Sequence, residues 1–204
     1  MEVTERDAVT GVARGETPDV LSRIGEPGQA AAIWERGRAQ GFAAWIDALP
    51  PALLPSLRGG CPVARAADLA MHACDMAGMP DAPGRNTLCD DIAALAEIFG
   101  QVTGCDDLCL RLDVVQGDAC RRFHLDNVPV RLLCTYRGRG TEYGLARAGG
   151  DPDPVMQMAA GDAALFRGGT WPCAAPSRLV HRSPPIAGRG ETRLLLVLDM
   201  PATV

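Results

Sequence analysis

Three features of the 204-residue sequence predict an α+β fold, with helices packed outside an antiparallel sandwich or barrel. Apolar residues recur at helical spacing through the first half. At residue 105 the period drops to two, and from there short apolar runs alternate with Gly- and Pro-rich turns. With 47% hydrophobic and 22% charged residues, the chain has enough apolar material for one core of ordinary size.

Residues 1–26 are polar, punctuated by Gly and Pro and without periodicity, which predicts a flexible N-terminal arm. Residues 27–104 read as a mainly helical region. Within it, residues 30–34 suit a strand or a helix equally, and Phe42, Trp45, Ile46 and Leu49 follow helical spacing until Pro50-Pro51 stops them. Residues 55–62 read as a loop and residues 64–76 as a second helix. The third helix has the strongest pattern. Leu88, Ile92, Leu95 and Phe99 share one face, Thr87 with Asp90 resembles a capping box, and Gly100 and Gly104 end it.

Beyond residue 105, Leu108, Leu110, Leu112 and Val114 alternate with Asp107, Cys109, Arg111 and Asp113, which is strand spacing. Further strands are expected at 128–136, 163–166, 179–181 and 193–199, separated by turns at 137–140, 149–154 and 168–169. Residues 105–204 are expected to pack with 27–104 as one compact unit.

Composition narrows the function. All 20 basic residues are arginine, so Schiff-base and P-loop chemistry, which need lysine, are excluded. A net charge of −5 argues against a nucleic-acid partner. No apolar run reaches membrane-spanning length, and the opening residues are polar and acidic, unlike a secretory or transit segment, so a cytoplasmic protein without a membrane partner is expected. The eight cysteines contain no C-x-x-C pair and are expected to be mainly reduced core thiols, Cys109 and Cys134 among them.

Two of the three histidines fall in the β-rich half. His124 and Asp126 stand at i and i+2, and in an extended segment such side chains point to the same side and can grip one ion. His181 would complete a set of two imidazoles and one carboxylate, the facial arrangement of non-haem Fe(II) oxygenases, whose open positions take cosubstrate and dioxygen. The bland alternatives are a turn histidine bonded to Asp126 and a satisfied strand histidine at 181. Arg193 opens the apolar run 194–198, and a buried arginine there needs a carboxylate partner such as an acidic cosubstrate. Arg189 competes with it for that role.

The series His124-x-Asp126, Gly140-Thr141-Glu142, 161–166 (GDAALF), His181 and Arg193 resembles the Fe(II)- and 2-oxoglutarate-dependent dioxygenase superfamily. More narrowly, 120–126 (CRRFHLD), 131–138 (RLLCTYRG) and 180–185 (VHRSPP) are similar to the DUF1826 family of bacterial proteins. The first resemblance implies a double-stranded β-helix (jelly roll) over residues 105–204. In it His124, Asp126 and His181 would hold Fe(II), and Arg193 would pair with the distal carboxylate of 2-oxoglutarate. The second implies zinc-responsive gene neighbourhoods, and so a role in metal homeostasis.

Other residues carry two readings each. Tyr136 is a cosubstrate contact or a core tyrosine with a satisfied hydroxyl; Glu142 is a substrate contact or a solvated turn residue; Trp171 lines a pocket mouth or packs. Arg131, on the opposite side of its strand from Tyr136, reads as a surface charge or ion pair, and His72 as a helix-face residue. The function expected is hydroxylation of a substrate, small molecule or protein, that the sequence leaves open. The alternatives are a non-redox protein holding Zn(II) through the same triad with water or Cys134, and a jelly roll serving protein interaction.

Overall fold

The computed structural model describes residues 8–148, 150–172 and 175–201. Residues 1–7 of the expected arm, Gly149 of an expected turn, Cys173, Ala174 and residues 202–204 lie outside them. The described residues form ten strands and three α-helices: β1 (Gly11–Gly15), β2 (Gln29–Trp34), α1 (Gln40–Ala48), β3 (Leu57–Pro62), α2 (Ala66–Met76), α3 (Pro83–Thr103), β4 (Asp107–Val115), β5 (Val130–Arg137), β6 (Glu142–Leu145), β7 (Met156–Gln157), β8 (Ala163–Arg167), β9 (Leu179–Arg182) and β10 (Arg193–Asp199). Seven strands make a large sheet in the order β1-β2-β8-β5-β10-β4-β3, antiparallel except for the β1–β2 pair, and three make a small sheet in the order β7-β6-β9. The two sheets do not close into a barrel.

β10 sits between β5 and β4 and is covered on both faces, which is why its run of Leu and Val is continuous rather than alternating. The even-numbered side chains Leu194, Leu196 and Leu198 pack with Leu110, Leu112, Leu132 and the apolar face of α3 (Leu88, Ile92, Leu95, Phe99) in the larger core. Each buried leucine there is worth about 1.5–3 kcal/mol. The odd-numbered Leu195 and Val197 point the other way. They meet Tyr143, Leu179, Phe166 and Leu133 in a second core between the sheets. The molecule is therefore three layers: helices, large sheet, small sheet.

Several expectations are corrected. Residues 11–25 are not a loose arm. β1 pairs with β2, and a 3-10 helix over Pro18–Gly25 buries Val20, Leu21 and Ile24, an amphipathic pattern hidden by its Pro and Gly punctuation. Most of the expected loop at 55–62 is β3, an edge strand, the position where a sheet tolerates its Pro62 and two glycines. α3 starts at Pro83, favoured at the first helical position, so Thr87 is inside the helix and its hydroxyl donates to Pro83 O at 3.0 Å instead of capping. Gly100 also lies within it, and the helix ends at Gly104, whose φ of 72° is the left-handed cap glycine favours. Cys109 is exposed, whereas Cys134 is buried. Among the described residues no helix is long and apolar enough to cross a membrane.

Candidate metal centre

The segment between β4 and β5 runs along the rim of the space between the sheets and meets β9 there. His124 and His181 exchange backbone hydrogen bonds, each N–H donating to the other's carbonyl at 3.0 and 3.1 Å, and their ring centroids stand 4.8 Å apart. Two glycines that read only as a turn hold the other end of this segment. Gly168 N–H donates to Pro129 O at 2.8 Å and Gly169 N–H to Asp126 O at 2.7 Å. A Cβ on Gly168 would lie 1.9 Å from Val128 O, so only glycine permits this approach.

His124, Asp126 and His181 each offer a ligand atom within 4.8 Å of the others, the one such group among the described residues. His181 Nε2 lies 3.1 Å from Asp126 Oδ2, and His124 Nε2 lies 3.5 Å from Oδ1. His181 and Asp126 are buried, and His124 is half-buried. His124 Nδ1 sits 3.0 Å from Arg122 O, a bond that needs the proton on Nδ1 and leaves the Nε2 lone pair facing Asp126. Asp126 Oδ2 and His181 Nδ1 are buried with no hydrogen-bond partner. An orphaned buried polar atom costs about 1–3 kcal/mol, and a cation beside Asp126 answers its Oδ2. Two nitrogens, one carboxylate and an unused buried lone pair fit a divalent ion such as Fe(II). A closed four-ligand zinc site finds no fourth side chain there among the described residues.

Arg131 forms ion pairs, one of its two expected readings, and its place beside the triad is what the sequence did not indicate. It pairs with Asp126 and clamps Asp199 with two bonds of 2.7 Å. Burial works against ionisation of Asp126, but its contacts with His124 and His181 and the charge of Arg131 outweigh this, and its carboxyl is held well below the usual carboxylate range. The carboxylate is thus kept ionised and aimed.

Arg193, at the start of β10, is fully buried. Its Nε–H donates to Arg139 O at 2.6 Å, one terminal nitrogen to Ser183 Oγ at 3.0 Å and the other to Thr135 Oγ1 at 3.3 Å. All three partners are neutral. Burial lowers its pKa to about 10, with Glu142 opposing the fall, so it stays charged at neutral pH. Ser183 lines the same cavity, of about 70 Å³, as His124 and His181.

Tyr136 does not join this face. It is buried on the helix side of the large sheet, its hydroxyl donating to Asp91 Oδ2 at 2.7 Å and its ring edge-on to Phe42. Strand alternation in β5 sends Arg131, Leu133 and Thr135 toward the small sheet, and Leu132, Cys134 and Tyr136 toward α3. Cys134 therefore faces away from the triad, and burial pushes its thiol up to about 12, far from a ready thiolate ligand. Arg189 is exposed on a turn. Glu142 is buried and paired with Arg182 at 2.7 Å, not solvated. Trp171 packs under Arg167, and His72 lies exposed on α2.

The family described as "Protein of unknown function (DUF1826)" matches residues 15–199. No curated protein matches the sequence. Among solved structures, the dioxygenase for auxin oxidation 1 from Arabidopsis thaliana, in a binary complex with 2-oxoglutarate, is similar with a TM-score of 0.54 at 10% identity, over 95% of this chain and 92% of that one. The rice dioxygenase for auxin oxidation gives 0.48 at 15% identity, over 91% and 76%. A Pseudomonas putida prolyl-4-hydroxylase gives 0.43 at 17%, over 92% and 94%. The Arabidopsis likeness shows a shared fold.

Proposed function

The chain belongs to the DUF1826 family, and we propose that it is an Fe(II)/2-oxoglutarate-dependent oxygenase that hydroxylates its substrate on a double-stranded β-helix scaffold. The observation that carries this reading is Arg193: a fully buried guanidinium with only neutral partners, bonded to Ser183 two residues beyond His181. A buried cation of that kind calls for an anion, and a dicarboxylate cosubstrate supplies one.

In this reading His124, Asp126 and His181 hold the metal. Bound Fe(II) with 2-oxoglutarate and dioxygen would supply the oxidising chemistry, one oxygen atom ending in succinate with loss of CO2 and the other in the hydroxylated substrate. The chain's own part is binding, orientation and exclusion of water. Arg131 keeps Asp126 ionised, and Arg122 O fixes the tautomer of His124. Arg193, with Ser183 and Thr135, grips the distal carboxylate. Phe166, whose ring centroid lies 4.9 Å from that of His181, and Leu195 and Leu133 form a dry wall.

The same reading makes residues 27–104 and 105–204 one folding unit, since β2 and β3 belong to the sheet that carries the site. A cytoplasmic setting suits the seven free thiols among the described residues. The test is to mix anaerobic protein with Fe(II) and 2-oxoglutarate. A visible charge-transfer band is expected, and Arg193→Gln should weaken 2-oxoglutarate binding roughly 10–100-fold, the cost of losing a charge-assisted pair. Folded, iron-loaded protein with no band overturns the reading.

A further inference from the structure

The outer strands β3 and β4 of the large sheet carry a pair of arginines that are not among the triad or its direct partners. On β3 and β4, Arg58 and Arg111 are directly opposite in register, so their side chains share one face. Like charges so placed repel, and the usual remedy, an acidic neighbour, is thin. Arg58 is exposed and has neither hydrogen bond nor ion pair with any described residue. Arg111 has only Asp113 of its own strand, with Nε 3.0 Å from Oδ2 and not aligned for a hydrogen bond, so that buried Nε is unpartnered.

These two arginines line a groove of about 790 Å³. One row further along the same face stand Arg131 and Asp199 on β5 and β10, then Cys109 and Gly60 on β4 and β3. Gly60 adds no side chain to the floor, and a Cβ there would meet nothing closer than 3.8 Å. Asp199, the one acid lining this groove, is already clamped by Arg131. The opposite wall begins at Asn127, the residue after Asp126, so the groove leads to the metal centre, and Arg111 and Arg131 line both. The chain as a whole carries −5, so this cationic groove is a local feature and not part of a basic surface.

We propose that this groove binds the anionic group, carboxylate or phosphate, of the oxygenase's primary substrate, seated between Arg58 and Arg111 with the rest of the molecule lying toward His124. The proposal rests on the oxygenase reading for the word substrate, but the anion site stands on its own geometry. Planar guanidinium groups on adjacent strands present parallel N–H donors, the geometry that recognises carboxylate and phosphate oxygens.

The test uses metal-free protein, so that its failure is separate from failure of the charge-transfer experiment. Inorganic phosphate and acetate are titrated separately while the arginine Nε–H resonances are followed by NMR, with Arg58→Gln and Arg111→Gln identifying the two signals. Saturable shifts at Arg58 and Arg111 are expected, with the tighter probe naming the anion class, and each substitution should weaken binding at least tenfold. Arg58 is exposed on an edge strand, so its variant remains informative if Arg111→Gln does not fold. Shifts that stay linear with concentration, or an unchanged binding curve in Arg58→Gln, overturn the proposal. Saturable binding in a protein that gives no charge-transfer band leaves an anion site and removes its role in oxygenation.

Discussion

The two faces of the large sheet are made by the same strands and could hardly differ more. Toward the helices, β4, β5 and β10 present Leu110, Leu112, Leu132, Cys134, Tyr136, Leu194, Leu196 and Leu198, all buried. Toward the small sheet the intervening positions present Arg111, Asp113, Arg131, Thr135, Arg193 and Asp199. The helix face is given over to cohesion, while the other sets these polar side chains beside the second core's Leu133, Leu195 and Val197, only the thickness of a backbone away. A side chain's role here depends on whether its number is odd or even more than on its type: Arg131 aims a ligand, while its strand-mate Tyr136 braces a helix.

That division can be broken by experiment. The largest effect is expected from Asp126→Ala, which should lower Fe(II) affinity by more than the roughly 10–100-fold attached to an outer partner and, because Arg131 loses a buried counter-charge, also lower the unfolding midpoint of the metal-free protein. Iron titration checks it, and retained tight binding would remove Asp126 from the ligand set. Next, Leu196→Ala on the opposite face should cost about 2–5 kcal/mol of stability, measured by denaturant unfolding. Its folded fraction should bind iron as before; weakened binding would mean that the two faces are coupled. Arg131→Gln should reduce Fe(II) affinity about 10–100-fold, because the ligand carboxylate loses its fixed counter-charge.

Smaller effects sharpen the boundary. Tyr136→Phe should cost about 1 kcal/mol through the lost bond to Asp91 and leave 2-oxoglutarate affinity untouched. A fall in that affinity would put Tyr136 back on the site. The smallest effect is a pH slope. Contact with Asp126 raises the pKa of His124 in the folded metal-free protein above its unfolded value of about 6.5. Its stabilisation is then fully present below that unfolded value and fades as pH rises through the folded one. Unfolding of metal-free wild type and His124→Gln across this range should converge at the alkaline end; parallel curves would deny the contact.

Much of this was legible in the sequence, and unevenly so. α3 and β4 declare themselves because long periodic runs have few competing solutions, and β10 because a short apolar run bounded by turn residues reads as a buried strand. β1 and β3 do not, because their Gly and Pro are turn signals in isolation and become acceptable only once the strand is known to lie at a sheet edge. His124, Asp126 and His181 could be nominated from spacing and neighbours, and the fold brings them together. The partner of Asp126 could not. β5 carries Val130, Leu132, Cys134 and Tyr136 on one side and Arg131, Leu133 and Thr135 on the other, and nothing local says which side faces the site, so exchanging the sides exchanges Arg131 with Tyr136. Gly168 was visible only as a turn, since the carbonyl it must approach lies forty residues away in sequence.

The central place of β10 has a further consequence for how the protein is made. β4 and β5 leave the ribosome long before β10, yet each pairs with it and not with the other. Until β10 arrives, both offer bare hydrogen-bonding edges and rows of leucine to whatever is nearby. The strand that seals them also delivers Arg193. A nascent chain stalled before residue 193 therefore leaves both edges open and lacks the buried Arg193, so completion of the sheet and placement of that guanidinium come in a single event.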